Sequence, residues 1–326
     1  MTRPLLTALA LVCVASLARA DPACHRSAAA APALARLRTE LARARFITYQ
    51  PTGLQVINGQ VHPATLDSIR TDLAALRPRF DALITYDAVH GAEAIAPVAR
   101  ALGFRALIIG VWNPFDAGEV EAALRAARQY PRLVLGLSLG NEMLFSHRAG
   151  AAALTARVSA LHAAAPDVLL STSEPFHLLE QPDSAPLRGE LDFLLAIVHP
   201  AFQPWFAHSD ARTRAQFVVN VSEDLARVYC GPLLIKETGE PTAPAEHGYS
   251  PASQAAFYAA LRTLMPPTAT RAFAYFAAFD APWRAQDATG VPGPHPEEAF
   301  WGVFDAGRRP KPVVDQLPAL AQDAAH

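Results

Sequence analysis

Two stretches, Leu139-Gly140-Asn141-Glu142 and Ile235-Lys236-Glu237-Thr238-Gly239, decide how this 326-residue chain is read. Each sets a glutamate just beyond a short apolar run. Such runs read as buried strands, and in a closed parallel barrel the strand ends carry the chemistry. Working outward, strand-like runs recur at Phe46–Gln50, Ala82–Tyr86, Ala106–Trp112, Val134–Leu139, Val168–Thr172, Phe193–Val198, Leu233–Lys236 and Ala272–Phe279. Helix-like stretches alternate with them at Pro63–Leu76, Ala92–Leu102, Glu119–Gln129, Ala151–Ala164, Arg212–Val228 and Pro251–Leu264. Apolar residues fall at helical spacing in several, for example Val120, Leu124 and Ala127, or Phe217, Val221 and Leu225. The fifth crossover, around Gln181–Glu190, is the weakest helix because of its prolines. Eight strands alternating with helices predict an α/β chain folded as a (β/α)8 TIM barrel. No Gly- or Ser-rich linker divides it, so residues 46–326 are expected to form one catalytic domain.

The beginning of the chain reads differently. Arg3, the apolar stretch Leu5 to Leu17 and the small-x-small site Ala18-Arg19-Ala20 predict a signal peptide over residues 1–20. The apolar stretch is short for a membrane span, so no membrane association is expected after cleavage. Secretion or a periplasmic location follows from that reading. Residues 21–45, rich in Ala and Arg, are expected to form an N-terminal arm with one helix. The net charge of −2 supplies no basic field, which argues against nucleic acid as a partner. Cys24 and Cys230 are either a disulfide in an oxidising compartment or two free thiols. No cysteine pair has the spacing of a zinc site.

Glu142 ends the fourth strand of this scheme and Glu237 the seventh, which places them across the barrel mouth from each other. Two carboxyls flanking one bond are the apparatus of a glycosidase, one as nucleophile and one as acid and then base. Asn141 offers an amide to a sugar hydroxyl beside the scissile bond. All four tryptophans, Trp112, Trp205, Trp283 and Trp301, follow strand ends, as do Tyr49, Tyr86 and Phe202. Trp205 and Trp283 are the best candidates to stack on sugar rings. His199, at the end of the sixth strand, is expected to touch substrate or orient Glu237, unless it is a packing residue. Lys236 alternates to the face opposite Glu237 and is expected in a structural ion pair. Asp305, Arg308 and Arg309 read as a surface turn. Gly136-Leu137-Ser138-Leu139-Gly140 also fits G-x-S-x-G, the nucleophile elbow of an esterase, but that motif needs its serine at a strand-to-helix turn.

The order of these motifs resembles glycoside hydrolase family 17, the β-1,3-glucanases, over nearly all of the chain after residue 20. Gly140-Asn141-Glu142 is similar to the family's acid/base segment, and Glu237-Thr238-Gly239-Glu240-Pro241-Thr242 to its nucleophile segment. Tyr49-x-Pro51, Thr85-Tyr86, Ala278-Phe279-Asp280-x-Pro282-Trp283 and Glu298-x-x-Trp301-Gly302-x-Phe304 continue the pattern, and Glu174-Pro175 resembles a segment of bacterial members. The resemblance implies a TIM barrel with Glu142 as acid/base and Glu237 as nucleophile. Taken with the strand-end reading of His199 and Trp205, it gives expected substrate contacts from Tyr49, Tyr86, Asn141, Glu174, His199, Trp205, Trp283 and Glu298. It also implies a β-glucan poly- or oligosaccharide substrate, hydrolysed or transglycosylated, with no cofactor and no metal. The chain departs from the family at Glu240, where Trp is usual, and at Ala277 and Ala281, where acidic or amide side chains are common. A barrel acting on β-1,4-glucan or mannan, or a glycan-binding barrel without turnover, remains as an alternative.

Overall fold

The computed structural model describes residues 27–286 and 294–320. The expected signal peptide and Cys24 lie outside these residues, while Cys230 is disulfide-bonded. Eight parallel strands close into a barrel: β1 (Phe46–Thr48), β2 (Ala82–Ile84), β3 (Ala106–Val111), β4 (Val134–Asn141), β5 (Leu170–Pro175), β6 (Leu194–Ile197), β7 (Leu233–Thr238) and β8 (Arg271–Tyr275). Each strand pairs with its sequence neighbours, and β8 closes on β1 through Phe46–Ala274 and Ile47–Tyr275. The expected (β/α)8 fold is therefore the observed one.

Alternation along the strands divides the core in two. One side chain set faces outward, for example Leu233 and Ile235, and packs beneath the helices α2 (Leu66–Leu76), α3 (Ile95–Ala101), α4 (Ala117–Gln129), α5 (Ala151–Ala164), α6 (Phe176–Leu179), α7 (Ala185–Glu190), α8 (Ala211–Val228) and α9 (Pro251–Leu264). The other set fills the lower barrel with Phe46, Ile84, Ile108, Leu135, Phe193, Leu195 and Leu234. Gly136 makes room there, since a Cβ would stand 2.9 Å from the Phe193 ring and 2.7 Å from Leu169 O.

The N-terminal arm belongs to this lower layer. Its helix, α1 (Ala31–Arg43), buries Leu37 and Leu41 completely against the inward strand residues. Arg36 of α1 donates to the carbonyls of Pro131 and Val134, and Arg105 pairs with Glu40 at 3.0 Å. The barrel floor is thus shut by the apolar face of α1.

One element has no counterpart in the sequence reading: an antiparallel hairpin, Gln55–Ile57 with Gln60–His62, inserted after β1. Its turn is Asn58-Gly59, both with positive φ (51° and 74°), the backbone that a tight hairpin requires and that Asn-Gly tolerates. The proline-broken fifth crossover forms two short helices, α6 and α7, joined by a 3-10 turn at Pro182–Ser184.

Candidate active site

The open end of the barrel is built on two strands that break their own alternation. In β4, Ser138 pairs with Ser171 but Asn141 pairs with Ser173, so one residue is extra. The extra residue is accommodated at Gly140, whose φ is +85° and whose Cβ, were there one, would stand 2.3 Å from Met143 Cγ. In β7, Ile235 pairs with Ala196 but Glu237 with Ile197, leaving Lys236 as the extra residue. Bulges of this kind re-aim side chains at barrel rims. Here they have a specific result. Leu234 faces inward and Ile235 outward, so Lys236 follows inward in the ordinary way, and the bulge brings Glu237 to the same side. The expectation that Lys236 points away from Glu237 is corrected by this geometry. Their charged groups are 3.1 Å apart, Lys236 at 1% exposure and Glu237 at 5%.

Glu142 follows the β4 bulge with φ +54°, and its amide continues the ladder by donating to Ser173 O at 2.8 Å. Lys236 Nζ donates to Asn141 Oδ1 and lies 4.3 Å from the centroid of the Tyr86 ring. His199 Nε2 approaches Glu237 Oε2 at 3.7 Å, and the imidazole is packed against Trp301 and Phe276, with ring centroids 4.7 and 4.9 Å away. Among the described residues, the buried His199 Nδ1 of this cluster has no hydrogen-bond partner. Buried polar groups are rarely left so outside functional sites.

The two glutamates differ in proton affinity. Burial raises Glu142, the negative charge of Glu237 raises it further, and its pKa reaches about 7 against the partial opposition of Lys236. Burial would raise Glu237 too, but Lys236 and the approach of His199 outweigh it and hold the pKa at about 2. Below neutrality Glu142 favours its protonated form while Glu237 favours its charged one. An acid and an anion facing one cleft can protonate a leaving oxygen and attack the carbon it leaves.

The remaining sequence candidates divide. Tyr86, Asn141 and His199 are in the cluster just described. Glu298 is near it: burial raises its pKa, the guanidinium of Arg284 opposes the rise, and its charge is felt by Glu142. Trp283 lines a cavity of about 210 Å³ together with Gln50, Gln55, Ala277, Ala281 and Arg284. The two alanines that depart from the family pattern thus border open space. Trp205 rests edge-on against Phe217 of α8 at 5.2 Å.

Four expectations change. Tyr49 is fully buried beneath α2 and donates to Asp72 Oδ2 at 2.9 Å, so it is a core residue and does not reach the cleft. Asp72 also pairs with Arg308 Nε at 2.7 Å, which makes Arg308 an anchor of the C-terminal segment; Asp305 and Arg309 do form a local turn. Glu174 is spent on the loop after β4, accepting from Leu144 N at 3.0 Å and Phe145 N at 3.3 Å. Burial still raises its pKa to about 7. Trp301, at 1% exposure, backs His199 and offers no free face. Ser138 lies within β4 at 1% exposure, which removes the esterase reading. Glu240, unusual for the family, is buried in an ion pair with Arg214 at 3.1 Å and accepts from Ser253 Oγ at 2.7 Å.

The sequence reading missed Lys236 as a member of the site. A buried lysine must be paired, and Lys236 sits in an apolar strand directly before a glutamate. That was the available signal. It also missed Arg148, which donates to Asn141 O and covers the Trp112 ring at 4.3 Å, bracing the loop that follows Glu142.

Comparison with known proteins agrees with this construction. No curated protein matches the chain in sequence. Among solved structures, the Rhizomucor miehei glycoside hydrolase family 17 β-1,3-glucanosyltransferase superposes with a TM-score of 0.61 at 19% identity, over 83% of this chain and 96% of that one. An active-site mutant of the same enzyme in complex with laminaritriose gives the same values. The β-D-glucuronidase of Dictyoglomus thermophilum superposes with a TM-score of 0.57 at 13% identity, over 86% of this chain and 51% of that one. These likenesses concern the fold. The model of the BtgE/BtgC glycoside hydrolase domain matches residues 47–302, from β1 past the last strand, and includes both Glu142 and Glu237. The chain therefore belongs to the BtgE/BtgC glycoside hydrolase family.

Proposed function

We propose that this glycoside hydrolase is a retaining enzyme of the family 17 type, acting on β-1,3-glucosidic bonds of a glucan outside the cytoplasm. The observation that carries the reading is that Glu142 and Glu237, at the ends of β4 and β7, lie close enough to feel each other's charge while Lys236, 3.1 Å from Glu237, splits their proton affinities. The ionised Glu237 attacks the anomeric carbon while Glu142 gives its proton to the departing glycosidic oxygen. The bond to that oxygen breaks and a glycosyl ester forms on Glu237. Glu142, now a carboxylate, takes a proton from water, and the hydroxide equivalent releases the sugar with its configuration retained. When a sugar hydroxyl takes the place of water, the same steps give transglycosylation. The similar Rhizomucor miehei structure is that of a glucanosyltransferase, which favours keeping both outcomes.

In this reading Asn141, Tyr86 and His199 meet the sugar at the bond to be cleaved, and Glu298 and Trp283 meet it to one side. Trp112 and Phe202, 46% and 51% exposed, stand after β3 and β6; Arg148 covers one face of Trp112, and the exposed parts of both rings are offered to a glycan chain. Residues 1–20 direct export and are removed. The test is incubation with matched oligosaccharides of β-1,3-glucose, β-1,4-glucose and β-1,4-mannose, with products resolved by size. Turnover of the β-1,3 series alone supports the linkage; turnover of another series reassigns it, and no turnover of any favours the binding barrel.

A further inference from the structure

We propose that Lys236 is a positioning residue of this site: it holds Glu237 as an anion and, by occupying Asn141 Oδ1, turns the Asn141 amide nitrogen toward the substrate. The inference rests on the reading of Glu237 as nucleophile and Glu142 as acid.

The geometry has three parts. The ammonium is 3.1 Å from Glu237 Oε1, donates to Asn141 Oδ1 and lies 4.3 Å from the Tyr86 ring centroid, so β7, β4 and the segment after β2 all converge on it. An ammonium has donors and no acceptor. Only the oxygen of the Asn141 amide can therefore face it, and the amide NH2 is left on the other side. Asn141 becomes a donor by necessity. A neutral residue at 236 would leave that amide free to rotate.

The second part concerns charge. Glu237, Glu142 and Glu174 surround Lys236 from β7, β4 and β5, and each favours its charged form against the burial that opposes it. His199, after β6, adds to Lys236 at Glu237, and Tyr86 is subject to the Glu237 charge. Glu298 and Arg284, from the segment after β8, and Arg148, after β4, stand further out.

The third part is a consequence for the reaction cycle. Before reaction Glu142 experiences the negative charge of Glu237 and the positive charge of Lys236, acting in opposite senses. Formation of the glycosyl ester removes the first and leaves the second. Lys236 then favours ionised Glu142, the form needed to activate water. One fixed cation thus serves the anion in the first step and the base in the second.

The direct test is a titration of the side-chain carboxyl carbons by NMR, with carbon-13-labelled glutamate and Glu237 assigned from Glu237→Gln. In the wild type Glu237 is expected to remain ionised well below the ordinary glutamate range, and in Lys236→Met its midpoint is expected to rise by about 1–3 pH units. Lys236→Arg, which keeps the charge, is expected to restore most of the difference. In activity, Lys236→Met should move the acid limb of the pH profile upward and slow glycosyl-enzyme breakdown more than its formation. A wild-type Glu237 titrating near 4, or a Lys236→Met midpoint unchanged while the protein is merely less stable, would overturn the inference. The wild-type titration needs no substrate, so failure here is distinct from failure to turn over a glucan.

Discussion

Glu142 and Glu237 are the same side chain at the mouth ends of two bulged strands, β4 and β7, yet their surroundings drive their proton affinities in opposite directions. Glu237 has a lysine at 3.1 Å and a histidine at 3.7 Å. Glu142 has acidic neighbours, Glu237, Glu174 and Glu298, and only the more distant influence of Lys236 in its favour. Residue type therefore does not assign the roles. The placement of one cation does, and in the sequence both positions read as a glutamate just beyond a short apolar run.

The comparison can be broken most severely at the anion. Glu237→Ala is expected to lower kcat on β-1,3-glucan by at least about 10⁴-fold, as loss of a catalytic nucleophile does elsewhere. Added azide should restore turnover as a glycosyl azide of inverted configuration, detectable by NMR of the products. Glu142→Ala should cost about 10²–10⁴-fold, the range of a general acid. That loss should shrink in the first step for substrates whose leaving group needs no proton, so a burst of an activated phenol followed by slow turnover is the expected trace. A smaller effect comes from pH alone. Glu237 must be ionised and Glu142 protonated, so kcat/KM should fall as pH rises through about 7 and, at the other extreme, as it approaches about 2. Glu142→Gln should remove the alkaline limb together with most of the activity.

The same difference bears on stability. A carboxyl whose folded pKa is raised to about 7 stabilises the fold fully below its unfolded value near 4.5. That contribution is lost as pH rises through 7. Glu142 and Glu174 share this sign, so the Tm of the wild type should drop between pH 5 and pH 7. A Glu142→Gln, Glu174→Gln variant should show a weaker drop. The least consequence for chemistry is expected at the barrel floor. Leu37→Ala opens a cavity in the α1 contact and should cost about 2–5 kcal/mol of stability by denaturant unfolding, with KM unchanged for the protein that remains folded.

Much of this was legible in the sequence. All eight barrel strands were, because a strand buried on both faces is a short continuous apolar run, and the longer helices between them were, because one apolar stripe at helical spacing suffices; the two short helices of the proline-broken fifth crossover were not. Positions of Glu142 and Glu237 at strand ends followed from the same runs. The facing of individual side chains was not legible. Parity along a strand assumes a regular ladder, and both β4 and β7 gain a residue just where the site begins. This is why Lys236 was assigned to the wrong side. Tyr49 failed for a related reason: it follows β1 closely enough to keep the outward alternation, and Asp72 on α2 supplies a buried acceptor that only tertiary packing reveals. The hairpin after β1 did carry a local signal, Asn58-Gly59 between Val56-Ile57 and Gln60-Val61, whose strands are too short and polar to register as core elements.

The measurement that tests the central claim most directly is covalent trapping. The protein is incubated with a 2-fluoro-substituted, activated β-1,3-gluco-oligosaccharide, which slows release of the glycosyl-enzyme, and the labelled peptide is identified by mass spectrometry. The account predicts one adduct, an ester on Glu237, formed in the pH range where Glu142 is protonated. An adduct on Glu142 or Glu174, or free product of inverted configuration with no adduct, would contradict it.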